Sequence, residues 1–152
     1  NTVHRETVIG ESGEVADLCR LERSPLKSFS KAFAAACPGG ILLQVHGFHA
    51  GDRVQANDAV PDVILSNGTR SPSSAIVEAS QALGPLFEGP TLVFPTDTGD
   101  LGATRNAHAR LFARRGHAGF VHVELSWRAR RALERSERLR RKFLGSFTPG
   151  RP

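Results

Sequence analysis

Short apolar runs alternate along the chain with longer segments whose apolar residues recur at helical spacing. Four runs with little charge predict strands, at residues 41–45, 62–66, 91–94 and 120–126. Four segments predict helices: one opened by Ser24-Pro25, one opened by Ser71-Pro72 and ending near Leu83, one capped by Thr104 and ending near Arg114, and a long basic helix from Trp127. Strands that alternate with helices predict an α/β fold, with a mostly parallel sheet sandwiched by helices.

Polar side chains gather where the predicted strands end, whereas the strand interiors stay apolar. The strand ends carry Gln44 and His46, then Asn67 and Thr69, then Asp97 and Asp100, and finally His122 and Glu124. In an open α/β sheet, ligands bind outside the carboxyl ends of the strands, so this layout predicts an active site there. Glu124 is the strongest candidate, because an acid within a strand is costly if buried without a partner and His122 shares its face.

The charge of the protein is concentrated near its C-terminus. The formal net charge is +5, yet residues 128–142 alone contain eight basic and two acidic side chains, and the remainder is close to neutral. Such a segment makes binding of nucleic acid or another anionic surface the alternative function. Nucleic acid is the disfavoured partner, because only 7% of the residues are aromatic and the body of the chain carries no recognition motif.

Length and composition limit the number of domains, the association with membranes and the cellular compartment. The 152 residues suit one domain, which we assign to residues 1–145, followed by a loose tail at 146–152. No apolar run approaches the length of a membrane-spanning helix, and we expect no membrane partner. The two cysteines, Cys19 and Cys37, allow either one disulfide or two thiols, so the compartment stays open. The chain begins at Asn1 and contains no methionine, which indicates that its own start, and an N-terminal part of the fold, is missing.

Three segments, in chain order, resemble motifs of the N-formylglutamate amidohydrolase family, whose fold is related to that of the zinc carboxypeptidases. They are Gln44-Val45-His46-Gly47-Phe48, Pro61 to Thr69, and Phe120 to Ser126. The opening Asn1-Thr2-Val3-His4-Arg5 is similar to a further motif of the family, Asp-Leu-Asn-Arg. The resemblance covers about residues 1–135 and departs from the family at Gly47-Phe48, which replaces a serine, and at Trp127, which replaces an arginine.

The resemblance implies a phosphorylase/hydrolase-like α/β fold and a Zn²⁺-dependent hydrolase. Its substrate would be a small molecule with a free carboxylate, cleaved at an amide or peptide bond. His46 matches a zinc-binding histidine of the family, Glu124 matches the general base, and Arg5 matches the arginine that binds the substrate carboxylate. Asn67 and Thr69 would line the site as polar contacts.

A zinc ion bound by His46 needs at least two more protein ligands. His49, Asp52 and His122 could supply them locally. The alternative, which we favour, places them before Asn1, because the family's first two zinc ligands precede its Asn-Arg segment. A non-catalytic domain of the same fold that has lost its metal is the remaining possibility.

Overall fold

The computed structural model describes residues 19–21, 23–49 and 60–148. Arg5 and Asp52 fall outside these ranges, so their predicted roles stay predictions. The described elements are, in chain order, α1 (Pro25–Ala36), β1 (Leu42–Gly47), β2 (Val63–Ser66), α2 (Ser74–Leu83), a 3-10 turn (Gly84–Leu86), β3 (Thr91–Val93), α3 (Ala107–Arg114), β4 (Phe120–Leu125), α4 (Trp127–Arg135) and α5 (Glu137–Gly145). No helix in this part of the chain is both long and apolar enough to cross a membrane.

The four strands form one open sheet in the order β1-β4-β2-β3. The outer pairs, β1 with β4 and β2 with β3, are parallel, whereas the central pair of β2 and β4 is antiparallel. The α/β prediction is therefore confirmed, but the sheet is mixed rather than mostly parallel. Because the two halves run in opposite directions, the carboxyl ends of β1 and β4 lie at one edge and those of β2 and β3 at the other. The expected meeting of all four strand ends is wrong.

The two faces of the sheet carry different side chains, and helices cover both. On one face, Val121, Val123 and Leu125 of β4 join a buried apolar cluster with residues of α2, α4 and α5. On the other face, Phe120 packs against Phe112 of α3, with α1 completing the cluster. The further positions of β4 on this second face are polar, so this face combines a small apolar cluster with the candidate chemistry.

Helix boundaries follow the predicted capping at one position and differ at three others. One of the three is α2, which begins at Ser74 with Ser73 as its N-cap rather than at Ser71-Pro72. The Ser24 hydroxyl accepts a hydrogen bond from the Lys27 backbone N–H at 3.0 Å, and a proline occupies the first turn of α1, as predicted. The cap of α3 is Asn106 rather than Thr104, since the Asn106 side chain accepts from two backbone N–H groups of the first turn. The predicted long basic helix is two helices, because Ser136 leaves helical geometry after α4 and caps α5.

Phe147 stands near the start of the segment predicted as a tail, yet it belongs to the apolar core. Its ring lies 5.2 Å from that of Phe143 in α5, measured between centroids, and both side chains are buried. The packed part of the domain thus continues past residue 145.

The buried carboxylate of Asp62, immediately before β2, joins three parts of the fold. Its Oδ1 accepts hydrogen bonds from Ser126 Oγ at 2.6 Å and from Arg128 Nε at 3.0 Å. Its Oδ2 accepts one from the Gly89 backbone N–H at 2.7 Å. Ser126 is also the N-cap of α4, so Asp62 ties the start of β2 and the loop before β3 to the junction of β4 and α4.

These bonds change the acidity of Asp62. Burial by itself would raise the pKa of Asp62, but the hydrogen bonds from Arg128, Ser126 and Gly89 outweigh it, and the pKa lies below its ordinary value. Arg128, the arginine closest to the family's position after Glu124, is thereby occupied in a structural ion pair, with Nη2 3.0 Å from Asp62 Oδ2.

Replacing Asp62 with Asn should lower the free energy of unfolding by about 2–4 kcal/mol, because it removes a buried charged acceptor and leaves three donors poorly matched. Urea unfolding followed by circular dichroism measures the change. Glu88→Gln is the matched control: Glu88 is exposed and lies 3.9 Å from the same Arg128. This control should shift stability by less than about 0.5 kcal/mol. Equal effects of the two variants would contradict the role of Asp62.

The stabilisation by Asp62 should also depend on pH. Because its pKa is lower in the folded protein than in the unfolded chain, the contribution is present above the ordinary carboxyl pKa of about 4. It is lost as the pH falls through the lowered folded pKa. The stability difference between the wild type and Asp62→Asn, measured by urea unfolding from about pH 7 to about pH 3, should therefore narrow at the acid end. A difference that stays constant would argue against this coupling.

Candidate metal centre

The parallel pairing of β1 and β4 brings the two predicted active-site residues together. In this register His46 lies beside Glu124, and Gln44 lies beside His122. Since residues two apart in a strand point to the same face, all four side chains belong to one face of the sheet. The sequence pattern predicted His46 and Glu124 as site residues, and here they are neighbours on adjacent strands.

His46, His122 and Glu124 form one compact group of donor atoms. One ligand atom from each residue lies within 4.8 Å of the other two. The distance from His122 Nε2 to Glu124 Oε1 is 3.6 Å, and the His46 and His122 rings are 4.8 Å apart between centroids. His122 and Glu124 are only 5% and 9% exposed, whereas His46 is half-buried. The group therefore faces solvent mainly through His46.

Burial makes His122 a neutral imidazole rather than a cation. Removal from water, and secondarily the charge of neighbouring His46, lowers the pKa of His122 to about 3. At neutral pH the contact between His122 and Glu124 is consequently not an ion pair, and the imidazole offers a lone pair. Its Nδ1 is buried and has no hydrogen-bond partner among the described residues. A ring in this state is suited to a metal ion.

The amino end of α3 covers this polar face and brings a thiol to it. Cys19 Sγ lies 3.7 Å from His46 Nε2. The Cys19 carbonyl accepts a hydrogen bond from the Ala107 N–H at 2.7 Å. Asn106 donates through Nδ2 to Gln44 Oε1 at 2.8 Å, so α3 is bonded to β1 itself. Cys19 and Cys37 are not joined by a disulfide, which answers the question that the sequence left open.

Asn67 and Thr69 lie outside the group. Ser66, the last residue of β2, is paired with His122, and the antiparallel direction takes the following residues away from Glu124. Asn67 Oδ1 accepts hydrogen bonds from the Thr69 backbone N–H at 3.2 Å and from its Oγ1 at 3.0 Å. These two residues form a local turn, the arrangement expected for Asn-Gly-Thr after a strand.

The other predicted polar residues are placed as follows. His49 follows β1 and is exposed. Asp97 Oδ2 accepts a hydrogen bond from the Val93 backbone N–H at 2.8 Å and closes the turn after β3. His122, one of the possible local ligands, joins the group, and its signal in the sequence is the His-x-Glu spacing within one strand. Cys19 carried no such signal, because its contact with His46 spans 27 residues of chain.

The donor set fits zinc. Imidazole nitrogen and carboxylate oxygen are both ligands that zinc accepts, and thiolate sulfur is another. Two nitrogen ligands on a tetrahedral zinc ion stand about 3.3 Å apart, given bonds of about 2.0–2.1 Å. The separations here reach 4.8 Å, so a bound ion would require the three side chains to move closer together.

Comparison of the chain with models of known protein families, with curated proteins and with solved structures finds no match.

The basic segment behind the alternative function is bonded partly to itself. Arg131 pairs with Glu134, and Arg141 pairs with Glu137 at 2.6 Å. Arg140 Nη1 donates to two backbone carbonyls near the end of α4, at 2.7 and 3.0 Å. Exposed ion pairs of this kind contribute little to stability, and binding of an anionic surface by this segment stays a prediction.

Proposed function

We propose that this protein is a Zn²⁺-dependent hydrolase that cleaves an amide or peptide bond in a small substrate with a free carboxylate. The observation that carries the proposal is the group of His46, His122 and Glu124. In this group the neutral imidazole of His122 and the carboxylate of Glu124 are buried, and the imidazole of His46 is half-buried. The resemblance to the N-formylglutamate amidohydrolase family supports the same reaction class and the hydrolase-like version of the α/β fold.

His46 and His122 would hold the metal through their imidazole nitrogens. When bound, zinc lowers the pKa of a coordinated water molecule to about 7 and polarises the carbonyl group of the substrate. A divalent cation held there would lie beside the carboxylate of Glu124, which is only 9% exposed.

Glu124 would carry the proton transfer. Its carboxylate would accept a proton from the attacking water and deliver it to the leaving nitrogen, as a general base and then a general acid. The 9% exposure of Glu124 keeps bulk water away from this proton. Arg5, outside the described residues, remains the residue that the resemblance assigns to the substrate carboxylate.

Zinc binding tests the ligand assignment. Calorimetric titration of the metal-free protein with Zn²⁺ should give one site, and His46→Ala and His122→Ala should each weaken it by about tenfold or more, since even a residue behind a metal ligand has effects of this size. His49→Ala is the matched control, because His49 is exposed and three residues from His46. It should bind zinc like the wild type. Unchanged affinity in both histidine variants would remove the proposed site.

Hydrolysis tests the role of Glu124. With N-formyl-L-glutamate and N-acetylated amino acids as probes, Glu124→Gln should lower kcat by about 10²–10⁴-fold while zinc affinity changes little, since a missing general base slows only proton transfer. Glu88→Gln, an exposed carboxylate, serves as the control. Intact zinc binding with full hydrolysis by Glu124→Gln would contradict the base assignment. Zinc binding by the wild type without hydrolysis of any probe would instead favour the non-catalytic domain.

A further inference from the structure

We propose that Cys19 is the third protein ligand of the metal, so that Cys19, His46 and His122 hold the ion and Glu124 is left as the base. The inference rests on the metal site of the proposed function and goes beyond it, because neither the strand pattern nor the family resemblance assigns a thiolate. The assignment comes from the position of the Cys19 sulfur beside His46, which itself belongs to the group with His122 and Glu124.

The sulfur is at the distance that a shared metal ion requires. Cys19 Sγ and His46 Nε2 are 3.7 Å apart. With a Zn–S bond of about 2.3 Å and a Zn–N bond of about 2.0–2.1 Å, tetrahedral geometry separates sulfur and nitrogen by about 3.6 Å. The same His46 ring lies 4.8 Å from the ring of His122, whose buried Nδ1 has no hydrogen-bond partner in the described part of the chain. The His46 imidazole therefore has two other donor groups near it, the thiol of Cys19 and the imidazole of His122.

The position of Cys19 is set by folded structure. Its carbonyl accepts from the Ala107 N–H in the first turn of α3. The preceding residue, Asn106, caps that turn and donates to Gln44 of β1, the strand that also carries His46. The backbone of Cys19 and the strand that carries His46 are thus both bonded to the amino end of α3.

The assignment removes a conflict within the proposed mechanism. If Glu124 ligated the metal as a third donor, it would no longer be free to accept a proton. With Cys19, His46 and His122 as its ligands, a zinc ion would still be able to bind water, as catalytic zinc sites with three protein ligands do. The charges would also balance, because one thiolate and one carboxylate would compensate the two charges of zinc beside the buried His122 and Glu124.

Cobalt spectroscopy is the direct experiment, because a thiolate bound to Co²⁺ gives an intense charge-transfer band in the near ultraviolet. Adding Co²⁺ to the metal-free wild type should produce this band. Cys19→Ser should lose the band and bind Zn²⁺ about tenfold or more weakly. Cys37→Ser is the matched control, because Cys37 is the only other cysteine and is exposed. It should keep both the band and the affinity.

A second measurement covers the case in which Cys19→Ser does not fold, as judged by circular dichroism. In the Cys37→Ser protein, Zn²⁺ should slow alkylation of the remaining thiol by about tenfold or more, because a metal-bound thiolate is a poor nucleophile toward external reagents. Unchanged alkylation would overturn the inference.

The outcomes separate this inference from the proposed function. Co²⁺ bound without the charge-transfer band, or a band that survives in Cys19→Ser, would overturn the role of Cys19 and leave the histidine site standing. Failure of the wild type to bind either metal would overturn both. The thiolate band together with absent hydrolysis would support Cys19 as a ligand and count against the proposed enzyme alone.

Discussion

The candidate site depends on the buried carboxylate of Asp62, although Asp62 itself takes no part in it. By accepting hydrogen bonds from Ser126 Oγ and from the Gly89 N–H, it fixes where β4 ends and where β2 begins. This fixes the antiparallel register in which Leu125 faces Val63. A slip of one residue would turn every side chain of β4 to the opposite face, and His122 and Glu124 would enter the apolar cluster beneath α2, α4 and α5.

One face of the sheet supplies most of the buried apolar packing, and the other face carries the candidate site. The apolar face of β4 supplies the larger buried cluster, which includes Val121 and Val123. The other face can hold polar side chains because the structure provides them with partners: Ser66 Oγ donates to the Gly102 carbonyl at 2.9 Å, and Gln44 accepts from Asn106. A polar layer of this kind is acceptable inside a protein only when its members are bonded.

The sequence pattern predicted the four strands, the Ser24 cap and the places of His46 and Glu124 near strand ends, because alternation and capping are local signals. It did not predict the direction of β2, since all four residues of that strand are buried and such a run fits either direction. Because β2 runs antiparallel to β4, Asn67 and Thr69 at its carboxyl end lie away from the site. The approach of Cys19 to His46 could not be predicted either, because it arises from the packing of α3 on β1.

The number of donors bears on where the metal ligands come from. From the sequence we favoured ligands placed before Asn1, since only His46 matched a ligand of the resembled family. The structure gathers His122 and Glu124 at His46, and Cys19 borders the same imidazole. A catalytic zinc ion needs three protein ligands and one position for water. Under the assignment proposed for Cys19, three of the described residues would serve as ligands and Glu124 would act as the base.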